Sequence, residues 1–308
     1  MSAPHPTRCA RTLRGHTGAL FAARFNADGN YCLTCGADRS LRLWNPHRDG
    51  AEGAGSALMV KEYVGPHAHE VRDVAVSRDN TRFASCGGDK AAFLWDVSTG
   101  KVLRRFGGAH EAAINALALN ADDCVLLTGS YDKTVRLWDV RSHGRGPIQT
   151  LPAFRDSVTS VAAGAHEIVA GSVDGTVRTF DLRRAHALTD ALHDPVTCVT
   201  LSRDGNCVLA GCMNGAVSLL EKGTGARLNV YRGHQHAQYA IGSCLTRDDA
   251  YVVSGSEDGT ALVWDLVDAS VRATLRGHKA AVCSVAPHPK ESAVLLTASH
   301  DGTAKLWC

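Results

Sequence analysis

The sequence predicts an all-β chain closed into a seven-bladed β-propeller, and three regularities in its 308 residues carry the prediction. First, seven similar stretches end at Trp44, Trp95, Trp138, Phe180, Leu220, Trp264 and Trp307, spaced 51, 43, 42, 40, 44 and 43 residues apart. Second, a histidine stands 28 to 30 residues before each of the five tryptophans, and an aspartate six residues before each end position, with Asn214 in the fifth unit. Third, short runs of Val, Leu, Ala and Thr bounded by Asp-Gly and similar turns read as strands. A repeat of roughly 40–45 residues holding four such strands is the length of one propeller blade.

Five units share four polar positions. They are His16, Thr34, Asp38 and Trp44 in the first; His67, Ser85, Asp89 and Trp95 in the second; and His110, Thr128, Asp132 and Trp138 in the third. The sixth has His234, Ser254, Asp258 and Trp264, and the seventh His278, Thr297, Asp301 and Trp307. In the fourth and fifth units the hydroxyl position is Ala170 or Ala210, and the histidine and tryptophan are missing too. Residues kept or lost as a set are expected to form one hydrogen-bonded chain, indole to hydroxyl to imidazole to carboxylate. A buried polar network stabilises only when every member has a partner, so losing the whole set costs less than losing one member. The other reading, a catalytic Ser/Thr-His-Asp triad, is disfavoured because near-identical copies repeated around a ring suit a structural part.

In chain order, residues 1–7 are expected to be a flexible tail and residues 8–308 the propeller. Thr12 and Leu13 repeat the spelling of Thr274 and Leu275, while the last unit stops after its third strand at Trp307. The N-terminal segment is therefore expected to complete the final blade, closing the ring and covering an edge that could otherwise pair with another chain. Residues 48–57, rich in Gly, Ala, Glu and Ser, account for the long 51-residue spacing and are expected to form a mobile surface loop. The fourth unit is short, with Phe154 at the histidine position, and the sixth carries an insertion at 235–240.

Composition narrows the function classes. No run approaches the ~18 apolar residues of a membrane span, and no apolar leader opens the chain. A net charge of +2 and 6% aromatic residues provide no basic stripe with interleaved stacking rings, so any work on nucleic acid is expected to run through proteins. Eleven cysteines scattered through strand runs suggest reduced thiols in cytosol or nucleus. Cys32 and Cys35 lack a second pair and would point to opposite faces of a strand, so no metal site is expected. Without a phosphate loop or nucleophile elbow, neither catalytic residues nor a cofactor are expected.

The Gly-His openings (Gly15-His16, Gly277-His278), the Asp turns and the Trp-Asp endings (Trp95-Asp96, Trp138-Asp139) resemble the WD-repeat family over essentially the whole chain. Within it, FNADGNYCLTCGADRSLRLWNP at 25–46, GGDKAAFLWDVSTGKVLRRF at 87–106 and HEIVAGSVDGTVRTFDLR at 166–183 resemble a group of scaffolds that organise mitogen-activated protein kinase cascades and occur with spliceosomal complexes. Trp44-Asn45-Pro46, the short fourth unit and Tyr239 add to the likeness, which spans about residues 12–308; the 48–57 segment departs from it. The resemblance implies a non-enzymatic protein-interaction scaffold in nucleus and cytoplasm, a monomeric propeller within larger complexes, with splicing factors or kinase-cascade components as partners. A competing reading is a substrate receptor of a cullin-type ubiquitin ligase, since Trp138-Asp139-Val140-Arg141 matches a Trp-Asp-x-Arg docking signature and Phe180-Asp181-Leu182-Arg183 nearly does.

Partners are expected on the propeller face that carries the histidine and Asp-turn loops, because loops on a rigid scaffold commonly bind. Candidates there are Phe21, Tyr131 and Met213 as apolar contacts, Glu70, Arg72 and Glu257 as charged ones, and Asn115 and His300.

Overall fold

Runs of β-branched and small residues set between tight turns pair with their sequence neighbours, and four consecutive strands make one blade. The computed structural model describes residues 5–50, 53–142, 144, 146–183 and 186–308. Blade three shows the plan: Ile114–Leu119, Val125–Ser130, Val135–Asp139 and Gln149–Leu151, antiparallel in that order. Five four-stranded sheets of this kind and one eight-stranded sheet make seven blades. Inner strands line a central channel of about 1530 Å³. Second strands such as Cys32–Gly36 are buried along their length, whereas outer strands such as Val102–Phe106 face water. The apolar clusters lie between blades: Leu33, Leu41 and Tyr63 of blade one pack with Val71, Phe83 and Trp95 of blade two. No single core fills the molecule, so each blade depends on its neighbours.

The ring closes as the sequence predicts. Cys9–Leu13 pairs antiparallel with Ala304–Trp307, Leu13 opposite Ala304 and Cys9 opposite Trp307. Arg8 and Cys308 exchange two backbone hydrogen bonds of 2.9 Å. Leu13 is 1% exposed and packs with Leu20, Trp44 and Leu296, sealing the junction of blades seven and one.

Two expectations need correcting. Residues 48–57 do not form a loop where they are described. The third strand of blade one runs through Leu41–Gly50 and its outer strand through Gly53–Tyr63, with Gly50 opposite Gly53 and Asp49 opposite Ala57; residues 51 and 52 lie outside the described residues. Small, flexible composition reads as a loop only while no partner strand is in view. Here Ser56 also pairs with Thr12 of the closing strand, and Arg11 forms an ion pair with Asp49, so blades seven and one share one sheet. The tail is likewise shorter than expected. Residues 1–4 lie outside the described residues, but Pro6 is buried, His5 packs on Tyr251 and the Thr7 amide donates to the Cys308 carbonyl.

Closure by apolar burial should outweigh closure by charge. Leu13→Ala is expected to lower unfolding free energy by about 2–5 kcal/mol, and Arg11→Ala, whose partner Asp49 is 55% exposed, by less than about 1 kcal/mol. Denaturant titration of both variants measures the difference; equal losses would mean that the ion pair holds the ring.

Candidate functional site at the channel mouth

In six blades the ladder between first and second strands skips one residue near its start. The skipped residues are Phe21, Arg72, Asn115, Thr159, Thr197 and Cys283, and all six line the channel. A bulge frees a residue from the ladder and re-aims its side chain, so this one irregularity delivers a ring of side chains to the channel mouth. They bind one another across blades. Arg72 donates to Glu70 and to Asn115 Oδ1, and Asn115 Nδ2 donates to Ser157 Oγ (2.9 Å) and the Val158 carbonyl (2.8 Å). One level deeper, Arg24 of blade one donates to Asp73 of blade two (3.1 Å) and Ser284 of blade seven (3.0 Å). Burial pushes the Asp73 carboxyl up, opposed by Arg24 and by the amides of Leu117 and Val74. Neither bulge nor stitch leaves a mark in the sequence.

Four of the five polar sets form as expected. In blade three, Trp138 Nε1 donates to Thr128 Oγ1 (2.9 Å), which lies 2.7 Å from His110 Nε2, while His110 Nδ1 lies 2.8 Å from Asp132. Blades one, two and seven repeat this through Thr34, Ser85 and Thr297. The ordering that satisfies every group has the hydroxyl donating to Nε2 and Nδ1–H donating to the carboxylate. Burial raises the Asp38, Asp132 and Asp301 carboxyls, but bonds from His16, His110 and His278 outweigh it and hold all three well below the usual range. Burial also lowers His67, against the pull of Asp89. Each carboxylate accepts, in addition, a backbone amide just after the histidine: Thr17, Ala68, Glu111 or Lys279. The set therefore clamps two loops of this face together.

The sixth set does not form, and this corrects the sequence reading. Trp264 Nε1 donates to the Arg232 carbonyl, Ser254 Oγ to the Gly255 carbonyl, and Asp258 accepts from Thr260. His234 is 5% exposed and neither ring nitrogen has a hydrogen-bond partner among the described residues. The cause is path length. The strand partner of the hydroxyl residue lies seven positions after the histidine in the regular blades (His110 to Leu117), but nine in blade six (His234 to Ser243). Burial, then His236, lowers His234 to about 4. In blade four, Phe154 packs on Phe180 with Arg178 over the Phe154 ring, replacing the polar chain by an aromatic one.

Of the candidate partner residues, Phe21, Glu70, Arg72, Asn115, Tyr131 and His300 line the channel. Met213 and Glu257 stand apart from it. Glu257 is occupied: its Oε1 accepts the amides of Ala237, Gln238 and Tyr239, clasping the sixth-unit insertion. That clasp brings in a residue absent from the expected set. Tyr239 packs edge-on against His300 (4.8 Å), which packs edge-on against Phe21 (5.7 Å), and Tyr239 stays 45% exposed beside this aromatic cluster. The Trp-Asp-x-Arg stretch has a local use: Asp139 accepts the amides of Arg141 and Ser142, shaping the turn, and Asp181 does the same for Arg183. No group of three metal-binding side chains occurs among the described residues.

Comparison with known proteins matches this geometry. The WD domain, G-beta repeat, fits residues 7–45, 60–96, 100–139, 145–181, 186–219, 225–265 and 269–308. The chain belongs to the WD-repeat family. It is similar to WD repeat domain-containing protein 83 of Rattus norvegicus, 45% identical over 98% of this chain and 92% of the relative, and to that of Homo sapiens, 44% over the same shares. The Dictyostelium discoideum homolog is 29% identical over 97% of both chains. As a WD-repeat propeller, the chain is of a protein-interaction scaffold type.

The intact and broken sets provide an internal control on WD-repeat energetics. Ser85→Ala strands the Trp95 indole and the His67 imidazole and should cost about 1–3 kcal/mol, whereas Ser254→Ala strands neither and should cost less than about 1 kcal/mol; denaturant titration compares them. The pH dependence follows from the sign of the His234 shift. A folded value below the unfolded one, near 6.5, means stability is complete above about 6.5 and drains away as pH falls toward about 4. His234 should contribute about 2–3 kcal/mol of the loss over that window. His234→Leu should remove that share while leaving the contributions of His67 and His236, which burial also lowers, and the carboxylate-driven fall below it.

Proposed function

We propose that this chain is a non-catalytic assembly platform in nucleus and cytoplasm, holding splicing factors and mitogen-activated protein kinase cascade components on the face around the channel mouth. The observation that carries the reading is the end-to-end likeness to the WD repeat domain-containing protein 83 group, together with the resemblance of residues 25–46, 87–106 and 166–183 to scaffolds with both roles. The geometry supports a platform. The face has locked loops, a solvent-facing Tyr131 (62% exposed) and the Phe21, His300 and Tyr239 cluster, the kind of aromatic anchors that dominate protein interfaces. The His-Asp-Ser/Thr sets are poorly suited to catalysis: the hydroxyls of Ser85, Thr128 and Thr297 sit on residues with 0% exposure and are already spent on indole and imidazole.

The test is affinity purification of the tagged chain from nuclear and cytosolic extracts, with nuclease, read by mass spectrometry beside the Tyr131→Ala/Tyr239→Ala variant. Splicing factors recovered from nuclei and kinases with their adaptors from cytosol, both depleted in the variant, are expected. Recovery of cullin subunits, lost instead on Arg141→Ala, would replace the platform by a ligase receptor.

A further inference from the structure

The turn between second and third strands places one residue in the left-handed region in every blade, and its identity divides the ring. Blades four to seven use Gly175, Gly215, Gly259 and Gly302, with φ of 79°, 71°, 81° and 77°. Blades one to three use Arg39, Lys90 and Lys133, at 63°, 59° and 70°. Left-handed backbone disfavours any residue with a Cβ, so three successive blades carry a basic side chain at a position where glycine would be the easier choice. Strain retained in this way is a pointer to function.

The three cations are solvent-facing and uncovered. Their neighbours in the turn, Asp38, Asp89 and Asp132, point inward with side chains 7%, 8% and 7% exposed, each given to its histidine. Among the described residues none of the three cations forms an ion pair; Arg39 donates to the Ala68 carbonyl of blade two. Tyr131, two residues before Lys133, sets an apolar, 62% exposed ring at the inner side of this arc, on the channel mouth.

We propose that the arc Arg39, Lys90 and Lys133, with Tyr131, binds an extended acidic segment of a protein partner, its spaced carboxylates meeting the cations and an apolar side chain covering Tyr131. This deepens the scaffold reading and rests on it. A peptide fits better than nucleic acid. Exposed Glu111 and the Glu70 that pairs with Arg72 interrupt the positive charge. A phosphodiester chain, charged at every step, would face both acids, whereas a peptide places carboxylates only where cations wait. A net charge of +2 also lacks the basic excess of a nucleic-acid binder.

The test uses the residue that the other blades already use. Arg39→Gly/Lys90→Gly/Lys133→Gly removes the charges while relieving the backbone, so the melting temperature should hold; Lys90→Gln/Lys133→Gln is the second variant should it fall. Probes are a fluorescein-labelled peptide of alternating glutamate and serine with one central phenylalanine, and a labelled oligouridine, each titrated against the full chain at low and physiological salt. The peptide is expected to bind, with affinity lowered about tenfold or more in the triple variant if each surface pair contributes about 0.5 kcal/mol, and lowered again by Tyr131→Ala. No peptide binding, undiminished binding by the triple variant, or tighter oligouridine binding lost in the same variant would each overturn the proposal. The two readings fail separately. Partners still recovered in the purification by a triple variant that has lost nothing would sink the arc and leave the platform. Peptide binding through the arc with no partner recovered from either extract would do the reverse.

Discussion

A buried hydroxyl that accepts from an indole and donates to an imidazole is the constraint on which each regular blade depends. Thr34, Ser85, Thr128 and Thr297 sit on the second strand, the most buried of the four, and each fixes a tryptophan from the third strand and a histidine from the preceding loop. The histidine then fixes an aspartate, and the aspartate fixes the amide after the histidine. Core packing is thereby transmitted to the surface. A loop tied at both ends in this way has little conformational freedom left to lose when a partner binds, which lowers the entropic cost of association.

Around the ring this constraint is applied unevenly. Blade four uses an aromatic pair and a cation over a ring, and blade five packs Leu192 with Leu220. The Asp turn survives without its histidine: Asp174 still accepts from Thr176 and from the Arg155 amide. The aspartate thus has a local task, shaping the turn, that the four-residue chain borrows. Blade six shows the converse. All four polar residues are present, yet a longer path from His234 leaves the imidazole buried without a hydrogen-bond partner among the described residues, next to a second buried imidazole, His236, at 5.8 Å between ring centroids. An unsatisfied buried ring costs stability that the regular blades retain, and in blade six it coincides with the insertion that brings Tyr239 to the channel mouth.

This contrast explains what was legible in the sequence. Repeat length, blade number, closure by residues 9–13 and four polar sets could be read because each rests on residue types recurring at fixed spacing. The sixth set could be spelled but not built, since hydrogen bonds depend on distance in space and two extra residues change the path. Residues 48–57 look like a loop because composition is a local property, while pairing with Thr12 comes from the far side of the closure. The bulges were invisible for a similar reason. Phe21, Arg72 and Asn115 look like ordinary strand residues, and only the register shows them expelled from the ladder.

The residues expelled or turned outward are those on which recognition can be built. In a blade, the polar set and the inter-blade cluster leave few positions free to vary without loss of stability, but a bulge residue and a turn residue have their backbones set by others. Phe21 and Arg72 occupy one such position in successive blades, and Lys90 and Gly175 another. Exchanging them changes what the face presents, with little effect on what holds it. Fold and partner choice are therefore written in separate sets of residues. The repeating set announces the propeller, and the non-repeating set, distributed one side chain per blade, determines what the propeller holds.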